Sequence, residues 1–253
     1  MPMFVLQFNN KLMDNRKMSG IIIEDITLNV SDGTSMKAFI SRPKETANYP
    51  GIMVFQEAFG VNSYIKDVTQ RFANEGYIAI APELFHRTAP GFEGSYDNYE
   101  EVRKHTQAVT VDNLVADITA SYNWLKDYAR ILPDQIVSIG FCMGGRVSFL
   151  ANTTLKLKAA ISFYGGNIAS ILDRVPRMEA PQLMFWGGLD KHIGQDQITS
   201  VTDTLKENQV NFVNVIFSNA DHGFFCDARS SYNPDASKQA WALTNSFLKT
   251  YLK

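Results

Sequence analysis

Short apolar runs alternate with stretches of helical spacing from residue 21 to the end of the chain. Ile21 to Val30 ends in a polar–apolar alternation, the Ser31-Asp32-Gly33 turn follows, and Met36 to Ser41 extends again, which together read as an antiparallel hairpin. Pro50-Gly51 introduces Ile52-Met53-Val54-Phe55, a continuous apolar run of the kind a central strand buried on both faces requires. Ile65, Val68, Phe72 and Ala73 then fall on one helical face, stopped by Glu75-Gly76. Tyr77 to Ala81 reads as the next strand, and residues 82–100, rich in Pro, Gly and aromatics, as a long excursion over the top of a sheet. Leu114, Val115, Ile118, Tyr122 and Leu125 mark a helix within 111–128. Strands are expected at 136–139, 159–163, 182–186 and 212–217, with helices directly after the first of these strands (from Gly145), near 195–208, and around 235–252. The alternation predicts an α/β architecture with a mainly parallel sheet sandwiched by helices. Residues 1–20 are expected to form a loosely ordered extension before one domain over 21–253.

Composition narrows the function classes. Hydrophobic residues make up 45% and charged residues 20% of the 253 positions, as in ordinary globular proteins. A formal net charge of −2 gives no reason to expect nucleic acid or an anionic membrane as partner. No apolar stretch approaches the ~20 residues that a membrane-spanning helix needs, and the N-terminal apolar stretch, broken by Gln7, is a poor signal peptide. Two cysteines, Cys142 and Cys226, make neither a disulfide framework nor a zinc motif. A reducing, cytoplasmic setting without metal or cofactor is the expectation, in which a reactive thiol would survive.

The chemistry concentrates after predicted strands. Gly140-Phe141-Cys142-Met143-Gly144 follows the run Ile136-Val137-Ser138-Ile139 and precedes a helical stretch. A nucleophile between glycines at a strand–turn–helix junction is a nucleophile elbow, with cysteine standing where serine is commoner. The competing reading is a tight turn around a packed cysteine. Asp190 follows Trp186-Gly187-Gly188, and His222 follows the strand 212–217. The chain order nucleophile, acid, histidine is the order of α/β-hydrolases. A thiol with a pKa near ~8.5 needs activation at neutral pH. His222 would support the thiolate and protonate a leaving alkoxide, and Asp190 would fix the imidazole tautomer.

Other residues compete for these roles. His192 lies on the same loop as Asp190, two residues on, and does not span from a separate strand. Asp221 adjoins His222, which makes pairing of their side chains awkward. His86 and His105 precede the elbow and are expected at the surface or on a pocket rim. Cys226 is expected to be a packed cysteine.

With these residues in place, the chain resembles the dienelactone hydrolase family of the α/β-hydrolase superfamily over about residues 20–253. The resemblance rests on Gln56-Glu57-Ala58-Phe59-Gly60-Val61-Asn62, Gly140 to Gly145, Trp186 to Asp190, His222-Gly223-Phe224 and Ala240-Trp241. It implies an α/β-hydrolase fold with about eight strands, an N-terminal antiparallel hairpin and helices on both faces. It further implies that Glu57 contacts the resting thiol and assists thiolate formation, and that backbone N–H groups of Met143 and Ala58 form an oxyanion hole. The family's carboxylate-bearing substrates are held by arginines. Arg87 matches one of them, Cys226 occupies the position of the second, and Arg229 lies nearby in a different register. Tyr96, Tyr99 and Phe92 are candidates to line the pocket.

The implied activity is hydrolysis of small carboxylic esters or lactones through a cysteinyl acyl-enzyme, by a monomer or homodimer and with no partner but the substrate. A broader carboxylesterase or thioesterase, and a catalytically idle binding protein on the same fold, are the alternatives.

Overall fold

A computed structural model describes residues 20–252; the expectation for residues 1–19 lies outside these. Eight strands form one sheet in the order β1-β2-β4-β3-β5-β6-β7-β8. The strands are β1 (Ile21–Asn29), β2 (Ser35–Pro43), β3 (Tyr49–Phe55), β4 (Ile78–Pro82), β5 (Ile131–Phe141), β6 (Ala159–Phe163), β7 (Gln182–Gly187) and β8 (Phe212–Phe217). The hairpin β1–β2 is antiparallel, and β2 meets β4 antiparallel. From β4 through β8 every pairing is parallel. This is the α/β-hydrolase arrangement.

Burial explains the composition of the strands. Ile52 to Phe55 are fully buried, as are Ile161, Phe163, Met184 and Phe185, so the central strands carry apolar residues on both faces. At the edge, β8 carries only half-buried and exposed positions.

Helices α1 (Ser63–Asn74), α2 (Tyr99–Ala108), α3 (Val111–Asp127), α4 (Met143–Asn152), α5 (Gln195–Glu207) and α6 (Pro234–Tyr251) fill the connections. Asn62 caps α1 by accepting a hydrogen bond from the Ile65 N–H (3.2 Å), and Thr110 and Asn233 cap α3 and α6 in the same way. α1 packs on β2 and β4, α3 on β5, and α4 on β5 and β6.

The excursion after β4 leads into a helix, Tyr99–Ala108, most of which falls where no element was expected. A 3-10 segment, Ile168–Arg177, follows β6 where no element was expected. Strand β5 also begins five residues before the apolar run that marks it.

Candidate active site

The loops at the carboxyl ends of β3, β5, β7 and β8 converge, as expected for a parallel sheet. Cys142 stands between β5 and α4 with φ 54° and ψ −116°, a conformation that costs a side-chain-bearing residue about 1–3 kcal/mol. The surroundings hold it there. Its N–H donates to the Phe163 carbonyl (3.0 Å), and its carbonyl accepts from the Gly145 N–H (2.9 Å). The flanking glycines are required by close approach. A Cβ on Gly140 would overlap the Gly144 carbonyl oxygen, and one on Gly144 would overlap the carbonyl oxygens of Phe55 and Gln56. The thiol is half-buried and interacts with His222.

His222 comes from the loop after β8 and is buried. Its Nδ1 lies 2.7 Å from Asp190 Oδ2. The second oxygen, Asp190 Oδ1, accepts backbone N–H bonds from His192 (2.8 Å) and Ile193 (3.2 Å). The loop itself therefore aims the carboxylate. Burial alone would raise Asp190, yet the bonds from His222, His192 and Ile193 and the imidazolium charge hold it below the usual carboxylate range. Burial also disfavours a charged His222, but the neighbouring Cys142 and Asp190 outweigh it and push the imidazole up to about 10. Asp221 uses its Oδ1 on the backbone N–H of His222 (2.6 Å) rather than on the ring.

Met143 opens α4, so its N–H is one of the helix N-terminal donors without an intrahelical acceptor. Ala58 lies buried in the turn after β3. That turn is tied to the loop after β4, because Gln56 Oε1 accepts the Leu84 N–H (3.0 Å).

A cleft of about 380 Å³ opens beside His222 and is lined by Tyr96, His192, Asp221, Arg229, Ser230 and Ser231 among others. The Arg229 guanidinium stands 5.8 Å from the Phe59 ring centre and 5.7 Å from that of Tyr96. Its Nη1 donates to Glu57 Oε1 (3.2 Å). The Tyr96 hydroxyl accepts from Asn62 Nδ2 (3.0 Å) and from the Cys226 thiol (3.3 Å), so Cys226 is indeed packed. His192 sits exposed at the rim, its ring centre 5.4 Å from that of His222.

The residues that surround this cleft fall within a stretch with a known counterpart. Residues 36–252 match the model of the dienelactone hydrolase family. The chain belongs to the dienelactone hydrolase family. A Synechocystis sp. member named "Putative carboxymethylenebutenolidase" is 34% identical over 85% of this chain and 92% of its own length. A Bradyrhizobium sp. protein named "Probable 2-oxo-3-(5-oxofuran-2-ylidene)propanoate lactonase" is 27% identical over 88% of this chain and 92% of its own. The crystal structure titled "Putative Dienelactone Hydrolase" from Klebsiella pneumoniae superposes with a TM-score of 0.83 at 28% identity, covering 92% of this chain and all of that one. As a dienelactone hydrolase family member, the protein is a hydrolase of that type.

Three expectations need correction. Arg87, matched by the resemblance to a substrate-binding arginine, points away from the cleft. Nη1 and Nη2 donate to the two oxygens of Asp117 (2.9 and 2.8 Å), and Nε donates to Asp32 (2.7 Å). A buried carboxylate on α3 has captured the guanidinium.

Glu57 does not bond the resting thiol. Its carboxylate is engaged by Arg229 and the Tyr96 hydroxyl, while Oε2 has no partner and Cys142 is drawn to His222. Burial nevertheless raises Glu57 above the usual carboxylate range, against the pull of Arg229 and His222.

Finally, His86 and His105 are buried rather than on a rim. His86 bridges Thr34 Oγ1 and the Glu83 carbonyl (3.0 Å each). His105 meets Thr88 Oγ1 (3.0 Å) and the rings of Phe85 and Phe92.

One residue near the nucleophile went unnoticed in the sequence. Arg146 lies one turn into α4, with its N–H directed at the Cys142 carbonyl (3.4 Å). Within the predicted helix it reads as an ordinary solvent-facing arginine. Among the described residues, no His, Cys, Asp and Glu side chains cluster as a metal site, and no helix is long and apolar enough to cross a membrane.

Proposed function

We propose that the protein hydrolyses small carboxylic esters or lactones through a cysteinyl acyl-enzyme, with Cys142 as nucleophile, His222 as proton carrier and Asp190 as its orienting anion. The 2.7 Å contact between His222 Nδ1 and Asp190 Oδ2 carries this reading, because it commits Nδ1 and leaves Nε2 for the thiol. The thiolate attacks the acyl carbon, and the carbonyl oxygen gains charge opposite the N–H groups of Met143 and Ala58. Collapse expels an alkoxide that takes the proton of the His222 imidazolium. Neutral His222 then accepts a proton from water as the hydroxide attacks the thioester. The carboxylic acid leaves, and the thiolate–imidazolium pair is restored.

Arg229 and Tyr96, on the cleft wall, are read as substrate contacts. Glu57 is read as the buried acid that holds Arg229 in place and, by its raised proton affinity, takes part in charge balance when substrate enters. The lactone-directed names of the relatives support a strained or enol leaving group, which suits a thiolate nucleophile. The size of the cleft, about 380 Å³, favours compact substrates over long acyl chains.

The test is turnover of dienelactones and short aryl esters by wild type beside Cys142→Ala. Hydrolysis by the wild type that disappears in the variant supports the reading, and equal rates in both would overturn it.

A further inference from the structure

Gln56, directly after β3, is a fully buried amide with both ends of its side chain in use. Oε1 accepts the Leu84 N–H (3.0 Å), and Nε2 donates to the carbonyl of the next residue, Glu57 (3.3 Å). A donor on one side and an acceptor on the other leave a single orientation for the amide. Its anchor is firm. Leu84 is buried, the Glu83 N–H before it donates to the Lys37 carbonyl (2.9 Å), and Arg87 beyond it is paired with Asp117.

The Glu57 carbonyl shares a peptide plane with the Ala58 N–H. No cis peptide bond occurs among the described residues, so these two groups point in opposite directions across that plane. Pinning the carbonyl therefore fixes the direction of the N–H. Ala58 is buried, yet its N–H has no acceptor among the described residues. Buried backbone donors are otherwise paired, and one held free beside a nucleophile is matched by an oxygen that arrives with the substrate. The main chain of the same turn lies against the elbow, where a Cβ on Gly144 would overlap the Gln56 carbonyl oxygen. Gln56 thus meets the nucleophile's turn with its main chain and the Glu57–Ala58 peptide with its side chain.

We propose that Gln56 is a positioning residue of the oxyanion hole, whose amide clamps the Glu57–Ala58 peptide so that the Ala58 N–H faces the acyl oxygen of a substrate attacked by Cys142. This rests on the acyl-enzyme reading above and adds the group that preorganises one of its two donors. A donor held in advance costs no reorganisation as charge develops on the oxygen. The amide is spent on Leu84 and Glu57, so its effect falls on the steps in which the acyl oxygen gains charge.

The experiment compares wild type, Gln56→Met and Gln56→Glu in hydrolysis of a short aryl ester and in alkylation of Cys142 by iodoacetamide. Alkylation consumes the thiolate without forming an oxyanion, so it reports on Cys142 and His222 alone. Gln56→Met keeps the length of the side chain and removes both bonds. Its kcat is expected to fall about ten- to a hundredfold, the effect of a misaimed donor. KM should stay within about threefold and the alkylation rate within about twofold of wild type, because ground-state binding and the thiolate are untouched. Gln56→Glu keeps the acceptor for Leu84 but donates to the Glu57 carbonyl only while its carboxyl is protonated. Its kcat should fall as that carboxyl ionises with rising pH, a limb absent from wild type, while alkylation keeps the wild-type pH profile. An unchanged kcat in Gln56→Met would overturn the proposal. Equal losses in kcat and alkylation would overturn it too, since Gln56 would then serve the thiolate or the fold. Where Gln56→Met does not fold, Gln56→Glu decides, and a kcat–pH profile that superimposes on wild type counts against the proposal. Failure of the acyl-enzyme reading looks different: Cys142→Ala would still hydrolyse the ester, whatever the Gln56 variants do.

Discussion

Asp190 divides its two oxygens between different tasks: Oδ2 meets His222 Nδ1 at 2.7 Å, and Oδ1 is fixed by the backbone of its own loop. The imidazole is thus oriented by a carboxylate that cannot swing away. Replacing Asp190 by Asn keeps the size but removes the charge, and kcat is expected to fall by about 10³- to 10⁴-fold, with the fold intact by circular dichroism.

The same substitution has a consequence for acid stability. Asp190 sits below its ordinary value in the folded protein, so its contribution is full above its unfolded value of about pH 3.9 and is lost as pH falls through the lower folded value. Denaturant unfolding followed from about pH 5 to about pH 2 should show a shallower loss of stability in Asp190→Asn than in wild type.

His222 sets the alkaline limit. Its raised value means that the imidazolium persists above the ordinary ~6.5 and is lost as pH rises through about 10. In the proposed mechanism the leaving-group proton comes from that imidazolium, and activity should then decline across the same range. Ring-nitrogen NMR should show the titration midpoint of His222 moving down in Cys142→Ala, which removes the main favourable charge.

Arg87 predicts a dissociation of stability from recognition. Arg87→Met leaves the buried Asp117 carboxylate without its bidentate partner, at a cost of about 3 kcal/mol. Thermal or denaturant unfolding should register that loss. KM for neutral and anionic esters should stay within about twofold of wild type, because the side chain is outside the cleft.

Gly144→Ala should disrupt the elbow rather than the chemistry alone. The added methyl collides with backbone carbonyls of Phe55 and Gln56, which have no freedom to rotate aside within β3 and its turn. A loss of about 1–3 kcal/mol is expected, with reduced reactivity of Cys142 toward an electrophilic thiol probe.

Much of the fold was legible because the central strands advertise their burial: Ile52 to Phe55 and Ile161 to Phe163 are unbroken apolar runs. Helix α2 was not, since only Val102 and His105 are buried in it and the flanking sequence is dominated by turn residues. The 3-10 segment is hidden by Pro176 and by a kink at Ile171. The positions of Cys142, Asp190 and His222 followed from strand ends and chain order. Partner choice did not. Nothing local to Arg87 announces Asp117, thirty residues on, as its counter-ion, and nothing in Glu57 announces Arg229. His86 and His105 look solvated in sequence because their hydroxyl and aromatic partners come from distant loops.

The central claim is that Cys142 carries the acyl group. Intact-protein mass spectrometry after rapid acid quench with a slowly hydrolysed aryl ester tests it most directly. The predicted result is an adduct equal to the acyl group, mapped to the peptide containing Cys142, accumulating further in His222→Ala if acylation proceeds. Steady turnover with no adduct on that peptide, or an adduct on another residue, would contradict the account.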